Sequence, residues 1–403
     1  MQTKLADFIK NTVEGREADS ILRKCVHCGF CTATCPTYQL LGDELDGPRG
    51  RIYLIKETLE GQAVTEKTRR HLDRCLSCRS CETTCPSGVR YGRLLDIGRG
   101  VVDERVPRPV HERALRAALR WLLPHPRRFG PLLKLGQTLR PLLPGALARR
   151  VPERSNAGPW PEPRHPRLQL CLSGCVQSSI APGINAAAAR VFDRLGVSLV
   201  PTTAAGCCGA VSYHLSARDE ALDVMRRNID AWWPQLEQGA EAVLTGASAC
   251  TAMIKEYAEL LANDAEYAHK AARVSELARD LSEAVAGKDL STLARDTVAS
   301  RRVAFHSPCT LQHAQGIRGT VESILEARGH RLTQVQDPHL CCGSAGTYSI
   351  LQPTLSKRLR ENKLAALAAD KPELIATANI GCLLELRAAA DVPVVHWIEL
   401  LDR

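Results

Sequence analysis

The stretch Cys25–Pro36, CVHCGFCTATCP, is repeated fifty residues later as Cys75–Pro86, CLSCRSCETTCP. In both copies four cysteines are separated by gaps of two, two and three residues, and a proline follows the fourth. This spacing is typical of a 4Fe–4S cluster, because the two-residue gaps let three thiolates on one tight loop converge. The repeated stretch therefore predicts a pair of clusters in the N-terminal part of the chain.

The fourth cysteine of each copy is expected to bind the cluster of the other copy, as it does in two-cluster ferredoxins. One predicted cluster is then bound by Cys25, Cys28, Cys31 and Cys85, and the other by Cys75, Cys78, Cys81 and Cys35. A pair of zinc sites or free thiols is the alternative. Zinc sites, however, usually combine two separated Cys-x2-Cys pairs rather than a run of four cysteines.

The residues around these motifs predict a helical domain over residues 1–103. Ile52, Ile55 and Leu59 recur at helical intervals between charged residues, and Leu94–Val102 continues the domain as a further helix. Basic residues flank the cysteines, and they either offset the negative charge of the thiolates or form a solvated surface: Arg49, Arg51, Arg74, Arg79 and Arg90.

Composition limits the class of protein. The chain has 403 residues, of which 44% are hydrophobic and 24% charged, as in ordinary globular proteins of several domains. Its 17 cysteines are clustered, which favours metal ligands over a disulfide scaffold and a reducing compartment such as the cytoplasm. We expect neither a secretory signal nor a membrane-spanning segment. The net charge of +9 is compatible with an acidic partner or an anionic membrane.

Residues 104–164 form a basic segment rich in leucine and proline. Between residues 105 and 154, twelve Lys or Arg residues accompany two acids, Glu112 and Glu153. Short basic helices that carry leucines can lie on an anionic membrane surface. Alternatively the segment is a linker whose leucines pack on neighbouring domains, since its prolines interrupt any long amphipathic face. The two interpretations are compatible.

Beyond residue 165 the pattern changes to strands alternating with helices, and it occurs twice. Strands are predicted in RLQLCLSGC, SLVPTTAAGCCG and EAVLTGASAC, and again in RRVAFHSPC, HRLTQVQDPHLCCG and PELIATANIGC. Helices such as INAAAARVFDRLG and RGTVESILEARG lie between them. We therefore predict two repeated α/β domains, over residues 165–300 and 301–403.

The cysteines of the two repeats match in spacing. Thirty-one residues separate the first cysteine of each repeat from a Cys-Cys-Gly triplet, and one more cysteine follows the third strand. We call Cys175, Cys207, Cys208 and Cys250 the first CCG set, and Cys309, Cys341, Cys342 and Cys382 the second CCG set. All follow the carboxyl ends of predicted strands, where open α/β sheets bind ligands, so each set can hold a metal or cluster. The remaining cysteine, Cys171, is predicted to be a small buried hydrophobic residue.

Four histidines lie close to the cysteines of the repeats or to the turns that follow them: His214, His306, His313 and His339. Histidine titrates near neutral pH, so these side chains either donate protons to a quinone or simply satisfy buried hydrogen bonds.

Together these features resemble the CCG-domain iron–sulfur subunits, in which a dicluster ferredoxin domain precedes two cysteine-rich domains. Within that group, HCGFCTATCPTYQLLGDELDGPRGRIYLIK, HLCCGSAGTY and TANIGC are most similar to the iron–sulfur subunits of bacterial glycolate oxidases. One difference concerns the last cysteine of each CCG set. In heterodisulfide-type members it belongs to a Cys-x2-Cys pair that supplies a five-cysteine cluster, whereas here Ala247 and Asn379 occupy the upstream positions. A cubane, zinc or a redox disulfide remain the alternatives for these sets.

The resemblance implies an electron-transfer subunit without catalytic residues of its own. A partner flavoprotein carrying FAD would oxidise glycolate to glyoxylate, with D-lactate as a second substrate that yields pyruvate. The chain would pass the electrons to a quinone or another membrane acceptor, from a peripheral position on the cytoplasmic side of the cell inner membrane. No flavin, nicotinamide or nucleic-acid-binding motif is evident in the sequence.

Three alternative functions are weighed against this one. The chain could serve another 2-hydroxy-acid dehydrogenase or a glycerol-3-phosphate dehydrogenase, since the substrate would never touch it. It could also be a heterodisulfide-reductase-like subunit, or a cluster-based redox sensor.

Overall fold

A computed structural model describes residues 1–145, 151–293 and 300–402 of the chain. The N-terminal part is helical, as predicted. Its helices, numbered in chain order, are α1 Asp7–Lys10, α2 Val13–Lys24, α3 Phe30–Ala33, α4 Pro36–Leu41, α5 Pro48–Leu59, α6 Glu66–Asp73, α7 Ser80–Thr84 and α8 Tyr91–Arg105. A short 3-10 turn, Glu44–Asp46, precedes α5. The predicted domain limit at residue 103 falls inside α8.

Local signals explain where these helices begin. The side chains of Thr12 and Thr65 cap α2 and α6 by accepting hydrogen bonds from backbone N–H groups. Prolines occupy the first positions of α4 and α5, where a missing N–H is harmless. Helix α8 packs closely on α5, and a Cβ atom on Gly98 would lie 2.7 Å from the side chain of Ile55.

The basic segment forms two helices, α9 Val110–Leu122 and α10 Pro126–Leu139, followed by a 3-10 turn, Arg140–Leu142. Helix α10 packs against the first helix of the first repeat, Val176–Ile180. The same segment leaves large apolar side chains exposed: Val110, Leu115, Trp121, Leu132, Leu135, Leu139 and Leu142. Packing on a neighbouring domain and an exposed apolar face therefore coexist in this segment.

Each repeat contains a four-stranded parallel sheet. The strands are β1 Leu168–Leu172, β2 Ser198–Pro201, β3 Val243–Thr245 and β4 Ala278–Asp280, then β5 Arg302–His306, β6 Arg331–Leu332, β7 Leu374–Thr377 and β8 Val394–His396. The sheet orders are β2-β1-β3-β4 and β6-β5-β7-β8. The prediction of repeated α/β domains after a helical domain is confirmed. The fourth strand of each sheet, β4 and β8, was not predicted.

Helices cover the sheets. In the first repeat they are α11 Val176–Ile180, α12 Gly183–Arg194, α13 Ala210–His214, α14 Arg218–Glu237, α15 Ser248–Lys255, α16 Tyr257–Leu260, α17 Ala268–Leu277 and α18 Leu281–Val285. In the second they are α19 Thr320–Ala327, α20 Tyr348–Leu351, α21 Pro353–Ala368 and α22 Ile380–Arg387. A π-helical turn, Thr310–Ala314, follows β5, and 3-10 turns occur at Leu290–Thr292 and Trp397–Leu400.

The two repeats share one hydrophobic core instead of packing as separate bodies. Ile184 and Phe192 of α12 belong to the same buried cluster as Leu325 of α19 and Trp397 near the C-terminus. Arg190 of α12 also forms an ion pair with Asp402, with Nη2 and Oδ2 2.6 Å apart. Within the described ranges, none of the helices combines the length and apolar character needed to cross a bilayer.

Candidate iron–sulfur and metal centres

The two N-terminal cysteine motifs adopt the same backbone conformation. In the first, His27 and Gly29 have φ values of 56° and 87°, and in the second Ser77 and Arg79 have 53° and 59°. These left-handed residues turn the backbone sharply between successive cysteines, which lets the thiols point to one centre. Each motif then enters a short helix, α3 or α7.

The motifs pack against each other as a symmetric pair. Their two short helices α3 and α7 are in contact, and the hydroxyl oxygens of Thr34 and Thr84 lie 3.1 Å apart. Each threonine directly precedes the fourth cysteine of its motif, Cys35 or Cys85. The contact therefore directs each fourth cysteine towards the other motif.

The structure brings together the four cysteines that the spacing predicts for each cluster. One small cavity is lined by Cys25, Cys28, Cys31 and Cys85, together with Cys81. A second is lined by Cys35, Cys75, Cys78 and Cys81. We call these groups the surface set and the inner set, because Cys28 is exposed whereas three of the four inner cysteines are buried.

Burial acts on several of the thiols in these two sets. Burial raises the pKa of Cys31 to about 11, and it raises the pKa values of Cys78 and Cys81 well above the ordinary value. Without metal these side chains are therefore neutral at pH 7. Coordination to iron ionises them outright.

A buried charge network lies beside the inner set. Arg51, 1% exposed, donates to the Thr37 hydroxyl at 3.1 Å, and that hydroxyl lies 3.3 Å from Cys35 Sγ. Asp46 is fully buried and pairs with Arg51 at 3.5 Å and with Arg74 at 2.7 Å. Burial alone would lower the pKa of Arg51. Electrostatic interactions with neighbouring groups, of which Cys75 is the strongest, outweigh burial and raise this pKa. Arg51 is thus placed to offset thiolate charge.

The other basic residues near the motifs form ion pairs. Arg49 pairs with Glu44 at 2.7 Å, whereas Arg79 and Arg90 reach across to Glu256 and Glu259 of the first repeat. Sequence reasoning treated all the arginines alike and did not identify Asp46. Asp46 lies in the 3-10 turn before α5, and nothing in the local sequence indicates that its side chain is buried among cations.

The CCG sets lie at the carboxyl ends of the parallel strands. In each set the glycine of the Cys-Cys-Gly triplet has a left-handed φ, 93° at Gly209 and 89° at Gly343. Its N–H donates to the Sγ atom of the first cysteine of the triplet, 3.4 Å away in both repeats. Neighbouring thiols interact in succession along each set: Cys175, Cys207, Cys208 and Cys250 in the first, and Cys309, Cys341, Cys342 and Cys382 in the second.

The electrostatics of the two CCG sets differ. In the first set, the Cys207 interaction and burial raise the pKa of Cys175, and the pKa of Cys207 itself is raised to about 12. In the second set the adjacent Cys342 and then His306 lower the pKa of Cys382 to about 5. Lys363, 1% exposed, is a further cation near the second set, and burial lowers its pKa to about 8. Within the second set the shifts oppose one another, because interactions with the neighbouring thiols raise the pKa values of Cys309 and Cys342 well above the ordinary value.

The second CCG set borders the inner set. Leu76, Cys78, Cys309 and Cys341 pack in one hydrophobic cluster, although they come from the N-terminal domain and the second repeat. A cavity of about 190 Å³ opens between them, and we call it the central cavity. Cysteines of both sets line it, together with side chains from the first repeat and α9: Cys75, Cys78, Cys309, Cys341, Cys342, Cys382, Arg116, His214 and Met253.

The four histidines have separate environments. His214 pairs with Asp96 across 3.2 Å, and His313 lies 3.0 Å from the Thr83 hydroxyl and 3.1 Å from the His339 carbonyl oxygen. These contacts are the hydrogen bonds expected of structural histidines. His306 differs, because it is 1% exposed and, among the residues that the structure describes, neither ring nitrogen has a hydrogen-bond partner. Cys171, also 1% exposed, is a buried core residue as predicted.

Comparisons with known proteins agree with this architecture. Residues 21–89 match the model of a 4Fe-4S dicluster domain, and residues 170–255 and 303–387 each match the model of a cysteine-rich domain. The chain is 56% identical over 404 residues to the glycolate oxidase iron-sulfur subunit of Escherichia coli K12, covering 100% of this chain and 99% of that protein. A probable glycolate oxidase iron-sulfur subunit of Bacillus subtilis is 29% identical over 98% of this chain and 96% of its own length. Lactate utilization protein A of the same bacterium is 24% identical over 57% of this chain and 96% of its own length.

Proposed function

The chain belongs to the family of glycolate oxidase iron–sulfur subunits, and from this premise we propose that it transfers electrons within a glycolate oxidase complex. The observation that carries the proposal is the arrangement of two four-cysteine sets, one at the surface and one beside the central cavity. When bound, a 4Fe–4S cluster at each set would carry one electron at a time. Cys25, Cys28, Cys31 and Cys85 would hold one cluster, and Cys35, Cys75, Cys78 and Cys81 the other.

The surface set is suited to receive electrons from a partner. Val26 lines its cavity, and Phe30 belongs to the same cysteine motif. They are 67% and 62% exposed, although both are large apolar residues. Cys28, a proposed cluster ligand, is exposed beside these large apolar side chains. An exposed apolar patch of this kind favours docking of another protein over contact with water. We propose that the partner is an FAD-containing flavoprotein that oxidises glycolate, and D-lactate as a second substrate, and that this chain alone does not.

The inner set is suited to deliver electrons to an acceptor. The central cavity places Cys75 and Cys78 against a space that Arg116 of α9 also lines. The same helix exposes Trp121, and α10 exposes Leu132 and Leu135. This combination supports a quinone or another membrane acceptor that reaches the cavity beside α9. It also supports peripheral binding to the cytoplasmic side of the cell inner membrane, where the basic segment meets anionic lipid.

The proposal is tested by mixing the chain, purified anaerobically with its iron, with the flavoprotein subunits and glycolate. Electron paramagnetic resonance should show reduced clusters only when the flavoprotein is present. A Val26→Asp variant should be reduced at least about tenfold more slowly, since Val26 lines the cavity of the surface set and a charge on this docking face opposes association. Tyr53→Asp is the matched control, because Tyr53 is 48% exposed but does not line the cavity of the surface set. Reduction of the isolated chain by glycolate, or equal slowing in both variants, would refute the proposal.

A further inference from the structure

The histidine at the end of β5 lies against two cysteines of the second CCG set. A ring nitrogen of His306 and the Sγ atoms of Cys342 and Cys382 all lie within 4.8 Å of one another, and all three residues are buried. Both nitrogens of His306 lack a hydrogen-bond partner in the described parts of the chain. A buried imidazole without a partner is costly unless it binds something, and the two thiols are the polar atoms it faces.

The spacing of these three donors fits one ion better than it fits a cubane. Zinc binds sulfur at about 2.3 Å and nitrogen at about 2.0–2.1 Å, so its ligand atoms lie roughly 3–4 Å apart. The thiolates of a cubane bind different iron atoms and are held further apart. Among the described residues, no three thiols of the surface or inner set come as close together as this trio.

We propose that the second CCG set binds a single thiophilic divalent ion, zinc in particular, through Cys342, Cys382 and His306. Cys342 and Cys382 line the central cavity, and Cys341 and Cys309 form another part of its wall. Imidazole and thiolate are the donors that zinc prefers, and two thiolates neutralise its charge. An ion held there would link the end of β5 to Cys342 and Cys382 in the wall of the central cavity.

The first repeat supplies an internal comparison. Its residue at the position of His306 is Leu172, three residues before the first cysteine of the set, as His306 is before Cys309. Leu172 is 1% exposed and packs in the hydrophobic core. Within the described residues, the first CCG set contains no comparably compact group of three donors. The predicted ion is therefore specific to the second repeat.

The test uses the full chain, purified anaerobically, with zinc and iron measured by elemental analysis and the zinc environment by X-ray absorption. The wild-type chain should contain about one zinc with nitrogen and sulfur ligands. His306→Ala and Cys382→Ser should each lower zinc content at least about tenfold and leave the iron signals of the N-terminal domain unchanged. Cys250→Ser, the equivalent change in the first repeat, should retain the zinc.

A separate variant distinguishes a ligand from a packing residue. His306→Cys should keep zinc but convert its ligands to sulfur alone, which a purely structural histidine would not do. Zinc retained in full by His306→Ala, a wild-type zinc without nitrogen ligands, or iron in place of zinc at this set would each overturn the proposal. Since none of these measurements involves glycolate or the flavoprotein, their outcome is independent of the proposed electron transfer.

Discussion

Removal of the Arg51 charge should lower the reduction potential of the cluster proposed at the inner set. Arg51, Asp46 and Arg74 together carry one positive charge, and Arg51→Gln reduces it to zero. The Arg51 guanidinium lies within about 6.4 Å of Cys35 Sγ, because the Thr37 hydroxyl bridges them with contacts of 3.1 and 3.3 Å. Reduction adds negative charge at this site, so the cation favours the reduced state.

The size of the effect follows from Coulomb's law. At about 6.4 Å and an effective dielectric constant of about 20, a unit charge contributes about 2.6 kcal/mol. A tenfold change in an equilibrium constant corresponds to about 1.4 kcal/mol and, for one electron, to about 59 mV. Arg51→Gln should therefore lower the potential by on the order of 100 mV.

The assay is a redox titration of the full chain followed by electron paramagnetic resonance, with iron content as the check that both clusters are present. Arg51→Lys keeps the charge and should stay much closer to the wild-type potential. Arg49→Gln is the surface control, because Arg49 lines the cavity of the surface set and not that of the inner set. It should shift the potential of the inner set by less than about 20 mV, since Arg49 is partly exposed and paired with Glu44. An unchanged or higher potential in Arg51→Gln, with full iron content, would show that the buried cation does not control the inner set.

The remaining predictions concern ligand pairing, backbone strain and membrane contact. Cys35→Ser should abolish the resonance signal of the inner set and preserve that of the surface set; loss of the surface signal alone would contradict the crossed pairing. Gly343→Ala should lower the free energy of unfolding by about 2–4 kcal/mol, because its φ is left-handed and its Cβ would lie 2.5 Å from a carbonyl oxygen. The equivalent Gly209→Ala places Cβ 3.3 Å from a carbonyl oxygen and should cost about 1–2 kcal/mol in chemical unfolding, so equal losses would count against the steric argument. Trp121→Ala should weaken flotation of the complex with anionic vesicles by about tenfold, whereas Ile350→Ala, another exposed apolar residue, should not; equal flotation would limit α9 and α10 to a linker role.

The N-terminal cysteines that line each of the two small cavities are those grouped by spacing along the chain, and their pairing as cluster ligands stays a prediction. The gaps within Cys25–Cys35 and Cys75–Cys85 determine which thiols share a loop, and the repetition indicates a symmetric partner. The repeated α/β domains were predicted for the same reason, since strand patterns and the spacing of Cys175–Cys207 and Cys309–Cys341 recur along the chain. Local backbone geometry and short-range hydrophobic pattern carry this information.

The environment of each cysteine set was decided by tertiary packing. Sequence reasoning treated the two CCG sets as equivalent, yet the second borders the inner set whereas the first does not contribute a cysteine to the central cavity. It also did not distinguish Arg51 from the other arginines, or His306 from the other histidines. Their roles depend on residues far away in the chain, such as Cys75 for Arg51 and Cys382 for His306, which approach only when separate helices and strands pack around a common core. Burial then removes water from these groups. The resulting low dielectric strengthens the electrostatic interactions of each buried charge and raises the cost of each unpaired polar group.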